Sequence, residues 1–422
     1  MSTTSAALAG NYKQVYGDDI YSLIPESSRF IKRVPFEQKK KLGDFYHQPV
    51  VLTAEQGFTY STSQTAFALE GNTPMASADA QLRGAQIAVQ YRISQEAASR
   101  AIESAAAFKD ATLLQYENVM DSFGKRLEIA SLYGQKTLAT FSTQADTSAT
   151  TTTMTVDVAS WAIGIWAGME NATFNFYNGA SLISSGADSI FTLTTVDLDA
   201  RTLLFTGTST GTTALQAVAA GSLQVYFNTA YAGAMSGIDA IITNTGTLFN
   251  ISAATYALWK GNTKTLTSGQ LTLQRIINAM AAPVGRGLQG EVDVYVSPLT
   301  WSNLATDLAA MRMYDGSYSN AKLDNGTQSI EYYYQNGKMN VISHLFCKQG
   351  DCFVIPIKKF KRVGSTNITS VVPGKKLVND DMFLMLPSNM GYESRMYTDQ
   401  AIFCEAPCQT LKITGFVNTE VA

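Results

Sequence analysis

From Ser94 to Gln135 the apolar positions Ile102, Ala105, Ala106, Leu113, Tyr116, Met120, Phe123, Leu127 and Ala130 step by three or four. That is the spacing of a helix with one face turned to a core. The stretch has no proline, Ser94 suits its N-cap, and Gly124 and Gly134 supply a weak point and a stop. A helix through all of it would span about 60 Å at 1.5 Å per residue, several times the usual length of about three turns. The stripe is alanine-rich at one end, aromatic at the other, and keeps no a/d heptad. A spine on which other layers are laid is therefore expected, rather than a coiled coil.

Upstream the period changes to two. Ile87, Val89, Tyr91 and Ile93 alternate with Ala88, Gln90 and Arg92, as in a half-buried strand. "PVVLTAEQGFTY" reads as a second strand, and residues 61–81 between them are small, polar and rich in turn formers. Together they predict a long two-stranded flap, which is marginal alone in water and needs a surface to lie on. The first 46 residues show no periodic element. Within them "RFIKRVPFEQKKK" sets Arg29, Lys32, Arg33, Lys39, Lys40 and Lys41 against the single acid Glu37, which fits either a draped basic arm or a solvated face.

Beyond the helix, "STQADTSATTTT" is a polar, threonine-rich linker. "TMTVDVASWA", "ATFNFYNG", "SIFTLTTVDLDARTLLFTG" and "GSLQVYF" then alternate apolar and polar residues between Gly, Asn and Asp turns. This predicts an all-β module inserted at about residues 146–230. From Gly233 onward helices and strands mix: "SGQLTLQRIINAMAAPVG" as a helix, "EVDVYVS" as a strand, and "PLTWSNLATDLAAMRMY" as a helix with Pro298 in its first turn. "MNVISHLFC" and "CFVIPIKKFKRV" read as strands joined by "KQGD", and the tail "RMYTDQAIFCEAPCQTLKITGF" reads as strand again, rejoining a sheet near the helix.

Composition narrows the functional classes. The 422 residues are 45% apolar and 15% charged, against about 25% charged in typical soluble proteins, so much nominal surface is expected to be covered by partners. A net charge of −3 argues against a dedicated nucleic-acid binder. No stretch approaches 18 uninterrupted apolar residues, and the N-terminus lacks a basic start and an apolar h-region. No membrane association and synthesis in the cytoplasm are therefore expected. Cys347, Cys352, Cys404 and Cys408 miss the usual zinc spacing and read as buried or idle thiols.

"GRGLQG" matches G-x-G-x-x-G at Gly285, Gly287 and Gly290, yet it follows a helix and opens a strand, the reverse of a dinucleotide loop. His47 and His344 stand far apart without metal-spaced partners, so each reads as structural. Acid pairs such as Asp18-Asp19 and Asp380-Asp381 do not make a poised acid/base couple, and no hydrolase, Walker, zincin or calcium-loop motif occurs. No cofactor, metal or catalytic residue is expected.

The order of elements resembles the major capsid proteins of tailed bacteriophages, the α+β fold named after phage Hong Kong 97, over essentially the whole chain. "RVPFEQKKKLGDFYHQPVVLTAEQGFTY" looks like the entry from arm to flap, "IWAGMENATFNFYNG" like the β insertion of larger members, and "GIDAIITNTGTLFNISAATYALWKG" and "DVYVSPLTWSNLATDL" like axial-domain segments. The resemblance implies an N-terminal arm at 1–46, an E-loop β-hairpin at 47–93 and the spine helix of a peripheral domain at 94–140. It further implies an inserted β-barrel or sandwich at 141–232, an axial domain with part of the peripheral domain at 233–372, and a C-terminal return to the peripheral sheet at 373–422.

By the same resemblance the chain would assemble with itself into hexamers and pentamers around packaged double-stranded DNA in a virion put together in the host cytoplasm. Portal protein, a separate scaffolding protein and a cement or decoration protein would be its other partners. Arg29, Lys32, Arg33, Lys39, Lys40 and Lys41 would face DNA, without sequence preference, or a neighbouring subunit. Ile87, Val89, Tyr91 and Arg92 would form an intersubunit E-loop strand, and Ile102, Leu113, Tyr116, Met120, Phe123 and Leu127 the core of the spine helix.

The family's type member joins subunits through a flap lysine, whereas this sequence has no lysine between Lys41 and Lys109. Cross-linking through the flap is thus expected to be absent. The chain begins almost at the arm, which is why a separate scaffolding protein is expected. An encapsulin-type nanocompartment shell is the close alternative. A different class would be a glycan- or receptor-binding adhesin using Trp161, Trp166, Phe174, Phe176 and Tyr177 as a sugar platform, although alternating aromatics usually form a core.

Overall fold

The computed structural model describes residues 29–38, 45–96, 105–314, 330–370, 384–385 and 389–419. Among the described residues three large sheets and two two-stranded ribbons accompany one long helix, Ala105–Tyr133, which at 1.5 Å per residue runs about 45 Å. Ser94 ends a strand, Ala85–Ser94, where it pairs with Gly391, and Gln95 and Glu96 directly after it are helical. Along the helix Phe123 and Leu127 are buried while Tyr116 and Met120 are half-buried. Ile102 lies outside the described residues, as does the side chain of Leu113. Toward the C-terminus the single stripe gives way to burial on all sides, with Glu128, Ile129, Ser131, Leu132 and Tyr133 enclosed. Gly134 ends the helix where a Cβ would lie 2.1 Å from the Met235 carbonyl oxygen, so only glycine fits against that backbone.

The strand Ala85–Ser94 belongs to a five-stranded sheet, where it pairs antiparallel with Gly391–Cys404. Gly391–Cys404 also pairs with Phe360–Thr369 and Leu384–Met385, and Phe36–Gln38 from the arm adds in parallel at the edge. This corrects the expected flap. Its return strand is Ser77–Leu82, paired in register with Tyr46–Val51, and Ile87, Val89, Tyr91 and Arg92 lie in the subunit's own sheet. The strong alternation of Ile87 to Ile93 reflects packing in that sheet, with Tyr91 buried. The true return strand, "SADAQL", carries little of the β-branched or aromatic signal by which strands are recognised.

A six-stranded sheet holds, in order, Asn262–Thr265, Leu411–Thr414, Cys352–Ile355, Val292–Val296, Gly337–Ser343 and Ile330–Tyr334. Every residue of the central strand Val292–Val296 is buried, the pattern of a strand covered on both faces. The helices Leu273–Gly285 and Pro298–Tyr314 pack on this sheet, and Thr272 caps the first by accepting from the Arg275 N–H at 3.3 Å. The C-terminal segment thus divides: Gly391–Cys404 enters the five-stranded sheet, but Leu411–Thr414 pairs with Asn262–Thr265 and Cys352–Ile355 in the six-stranded one. A single return to one sheet does not describe it. The "GRGLQG" stretch joins helix to strand, with positive φ at Gly287 and Gly290.

Residues 141–227 form a seven-stranded antiparallel sheet. Its two ends meet, because the Leu138 N–H just before the first strand donates to the Val225 carbonyl on the last at 2.8 Å. The rolled sheet encloses Phe141, Phe174, Phe176, Phe191 and Phe205, with Phe176 edge-on to Phe191 at 5.2 Å and to Phe205 at 5.0 Å. Trp161 and Trp166 are buried as well. Four of the five aromatics of a sugar platform therefore face inward, leaving only Tyr177, half-buried and stacked on Tyr231 at 4.0 Å.

Candidate assembly interface

The flap is the least enclosed part of the fold. Above the paired strands Tyr46–Val51 and Ser77–Leu82, the ribbon is held by Leu52 N–H donating to Ala76 at 2.8 Å and by reciprocal Gln56 and Thr73 bonds at 3.0 and 3.1 Å. Its side chains lie open: Phe58 is 70% exposed, Tyr60 93% and Leu69 79%. Phe67 and Met75 are exposed too. Solvent-facing apolar groups clustered on one extended element mark a contact surface, whereas single ones scattered over a surface do not. The sequence reading placed small polar residues here and missed Phe67, Leu69 and Met75.

The flap base is anchored to the body. Gln81 N–H donates to Phe249 at 2.9 Å, and Tyr46 packs edge-on to Phe403 at 5.7 Å. His47 and Asp79 pair across the two strands, and the hydrogen bond from His47 holds the Asp79 carboxyl below the usual carboxylate range.

The arm is engaged with its own subunit. A short helix, Arg29–Arg33, presents its backbone N–H groups to Glu128 on the long helix: Phe30 N–H donates to Oε1 at 2.6 Å and Ile31 N–H to Oε2 at 3.1 Å. His344 completes this site with Nε2 at 2.8 Å from Glu128 Oε1, while its Nδ1 accepts from Phe346 N–H at 3.2 Å. With Nδ1 accepting, Nε2 carries the proton and donates to the carboxylate. Phe30, fully buried, sits edge-on to Tyr295 and Phe360 at 6.1 and 6.3 Å. Arg29 donates to the Ser343 carbonyl at 2.7 Å, and Arg33 pairs with buried Asp293 at 3.1 Å. Burial pushes the Asp293 carboxyl up, and Arg33 opposes that shift. Lys32 stays exposed, and Lys39, Lys40 and Lys41 lie outside the described residues.

Charge also ties strands to their neighbours and to a helix. Lys412 bridges Asp239 at 2.8 Å and Asp351 at 3.1 Å, and Tyr133 at the end of the long helix donates to Asp351 at 3.1 Å. Burial alone would lower the Lys412 pKa, but Asp351 and Asp239 together raise it. Arg92 donates to Glu393 at 2.9 Å across neighbouring strands. The hydrogen bonds from Arg395 and Arg92 hold that carboxyl below its usual range. Cys347, Cys352, Cys404 and Cys408 are free, buried thiols, their pKa values raised by burial. Among the described residues no group of His, Cys, Asp and Glu has the geometry of a metal site, and no helix is long and apolar enough to cross a membrane.

The fold is similar to that of the capsid asymmetric unit of cyanophage A-1(L), with a TM-score of 0.58 and 12% identity over 98% of this chain and 99% of that chain. The capsid of a native GTA particle is similar at a TM-score of 0.51 and 8% identity, over 98% of this chain and 99% of that chain. For the capsid of an empty GTA particle the TM-score is 0.50 at 8% identity, with the same coverage of both chains. No family model matches the chain and no curated protein is similar to it in sequence. The likeness is one of fold: end to end, the chain has the mixed α+β fold of these capsid subunits.

Proposed function

We propose that the chain is the major capsid protein of a tailed phage, a non-enzymatic tile that assembles with itself into hexamers and pentamers and closes an icosahedral shell around double-stranded DNA. The observation that carries this reading is the full-length fold likeness to the cyanophage A-1(L) capsid. In the Hong Kong 97-like arrangement the flap is the E-loop, Ala105–Tyr133 the spine, the six-stranded sheet the axial region and the rolled sheet the inserted domain. The exposed apolar flap supports the reading, since such a surface calls for a neighbour. Assembly in the host cytoplasm, with a portal, a separate scaffolding protein and a cement protein as partners, belongs to the same reading.

Because Arg29 and Arg33 are engaged within the subunit, Lys32, Lys39, Lys40 and Lys41 are the arm residues left for DNA phosphates or a neighbour. Reversing the charge at Lys39, Lys40 and Lys41 separates the two roles: empty shells would assign them to DNA, and lost assembly to subunit contacts. The reading itself is tested by expressing the full chain alone and beside its genomic neighbours, followed by electron microscopy and mass in solution. Closed shells or rings of five and six are expected. A monomer or trimer under every condition would overturn the shell reading.

A further inference from the structure

A cavity of about 400 Å³ opens between the strand Ala85–Ser94, the long helix and the end of the rolled sheet, within the size of a specific binding site, roughly 300–1,000 Å³. Its apolar walls include Ile87, Val89, Phe123 and Phe227, and its charged groups among the described residues are Arg126 and Lys136, with no carboxylate. The Arg126 guanidinium lies 3.3 Å from the centre of the Phe227 ring. Several cations of the fold pair with carboxylates, Arg33 with Asp293, Arg92 with Glu393, and Lys412 with Asp239 and Asp351, while others, such as Lys125 and Lys348, donate to backbone carbonyls. Half-buried Arg126 stacks on an aromatic face, and although burial lowers its pKa to about 10 it is charged at neutral pH.

The flap tip is the complement of this groove. Residues 52–76 carry Glu55 and Glu70 and no Lys, Arg or His, and both acids are exposed beside the open side chains of Phe58, Tyr60 and Leu69. An apolar, acidic ribbon thus stands uncovered on the same molecule as an apolar, cationic groove. We propose that the groove between the long helix, the strand Ala85–Ser94 and the rolled sheet receives the flap tip of a second copy of this chain, with Leu69 in the cavity and Glu70 on Arg126. The inference rests on the shell reading and specifies where each tile receives its neighbour. Opposite charge fixes the register of the ribbon, and apolar contact holds it.

The test uses the full chain assembled into particles, with Ala234 at the cavity wall replaced by the photo-cross-linker p-benzoylphenylalanine. Irradiation followed by peptide mass spectrometry is expected to join that position to a peptide from 52–76 in particles and not in dissociated subunits. Capture of residues 1–28, of any other segment, or equal capture in dissociated subunits would overturn the proposal, as would particles that form without any cross-link. In parallel, Arg126→Glu should raise the concentration needed for assembly by about tenfold or more, and adding Glu70→Arg should restore it, as paired opposite charges require. Failure of the wild-type chain to form particles would overturn the shell reading, and the groove's occupant with it. Normal particles with no flap cross-link would overturn the groove assignment alone.

Discussion

Glu128 holds a carboxylate without solvent exposure and accepts from Phe30 N–H, Ile31 N–H and His344 Nε2. Such a group is tolerable because each donor is itself satisfied by it. Glu128→Ala would strand three buried donors at about 1–3 kcal/mol apiece, so a loss of roughly 3–5 kcal/mol is expected. Chemical unfolding of the dissociated subunit measures it, and a loss under about 1 kcal/mol would mean that the arm is held by other contacts. The buried thiols govern a different property. Cys347, Cys352 and Cys404 keep their protons in the folded chain to higher pH than in the unfolded one. Their contribution is therefore complete below the unfolded thiol value of about 8.5 and declines as pH rises, each by up to about 1.4 kcal/mol per unit. Lys125, lowered to about 8 by burial, works in the opposite sense: between pH 8 and about 10.4 the unfolded chain binds its proton more tightly, and stability rises. Cys408 adds to the thiols and Lys348, also lowered by burial, adds to Lys125; four thiols outweigh two lysines, so the unfolding midpoint should fall from about pH 8.5 to 9.5. Replacing the three cysteines by alanine should flatten or reverse that slope, whatever it does to stability at pH 7.

At the scale of elements, the flap and the long helix divide the labour of reach and attachment. Backbone pairing of the flap is confined to its base and one bridge, so removing residues 54–74 and closing the ribbon with a Gly-containing turn should leave the subunit folded. Circular dichroism and unfolding of that variant are expected to match wild type, whereas assembly should be lost. Particles of normal size from the shortened chain would remove the flap from the interface. The long helix was legible in the sequence because its period extends over many turns, and the β module because aromatic and β-branched residues alternate between turn formers. Pairing was not. Ile87, Val89 and Tyr91 announce a strand but not its partner, which lies some three hundred residues along at Gly391–Cys404, and period alone cannot choose among distant strands. The arm's anchor was hidden for a related reason: Glu128 occupies a helix position that looks solvated until Phe30 and His344 arrive from remote segments. Leu69 and Phe67 were overlooked because their neighbours are small and polar, and exposure is a property of the folded surface alone.

At the scale of the molecule, the proposed shell reading raises the question of how a charge-poor subunit becomes part of a durable shell. Burying the five exposed apolar side chains of the flap, Phe58, Tyr60, Phe67, Leu69 and Met75, at about 1.5–3 kcal/mol each yields about 8–15 kcal/mol, while associating two bodies costs about 4–15 kcal/mol. A single flap seated in a single groove is thus close to balanced. Weak contacts of this kind would let misplaced subunits leave, and closure would supply the stability if each subunit, as proposed, both gives a flap and receives one in a head-to-tail ring. The flap cannot supply the amine of an isopeptide bond, because the chain has no lysine between Lys41 and Lys109. Purified particles boiled in detergent are therefore expected to run as single chains, and the particles should come apart at high salt or low protein concentration once assembly charges such as Arg126 and Glu70 are screened or diluted. A ladder of multimers surviving boiling, with cross-linked peptides from 45–96, would show that some other flap residue forms the bond and would overturn this account of durability.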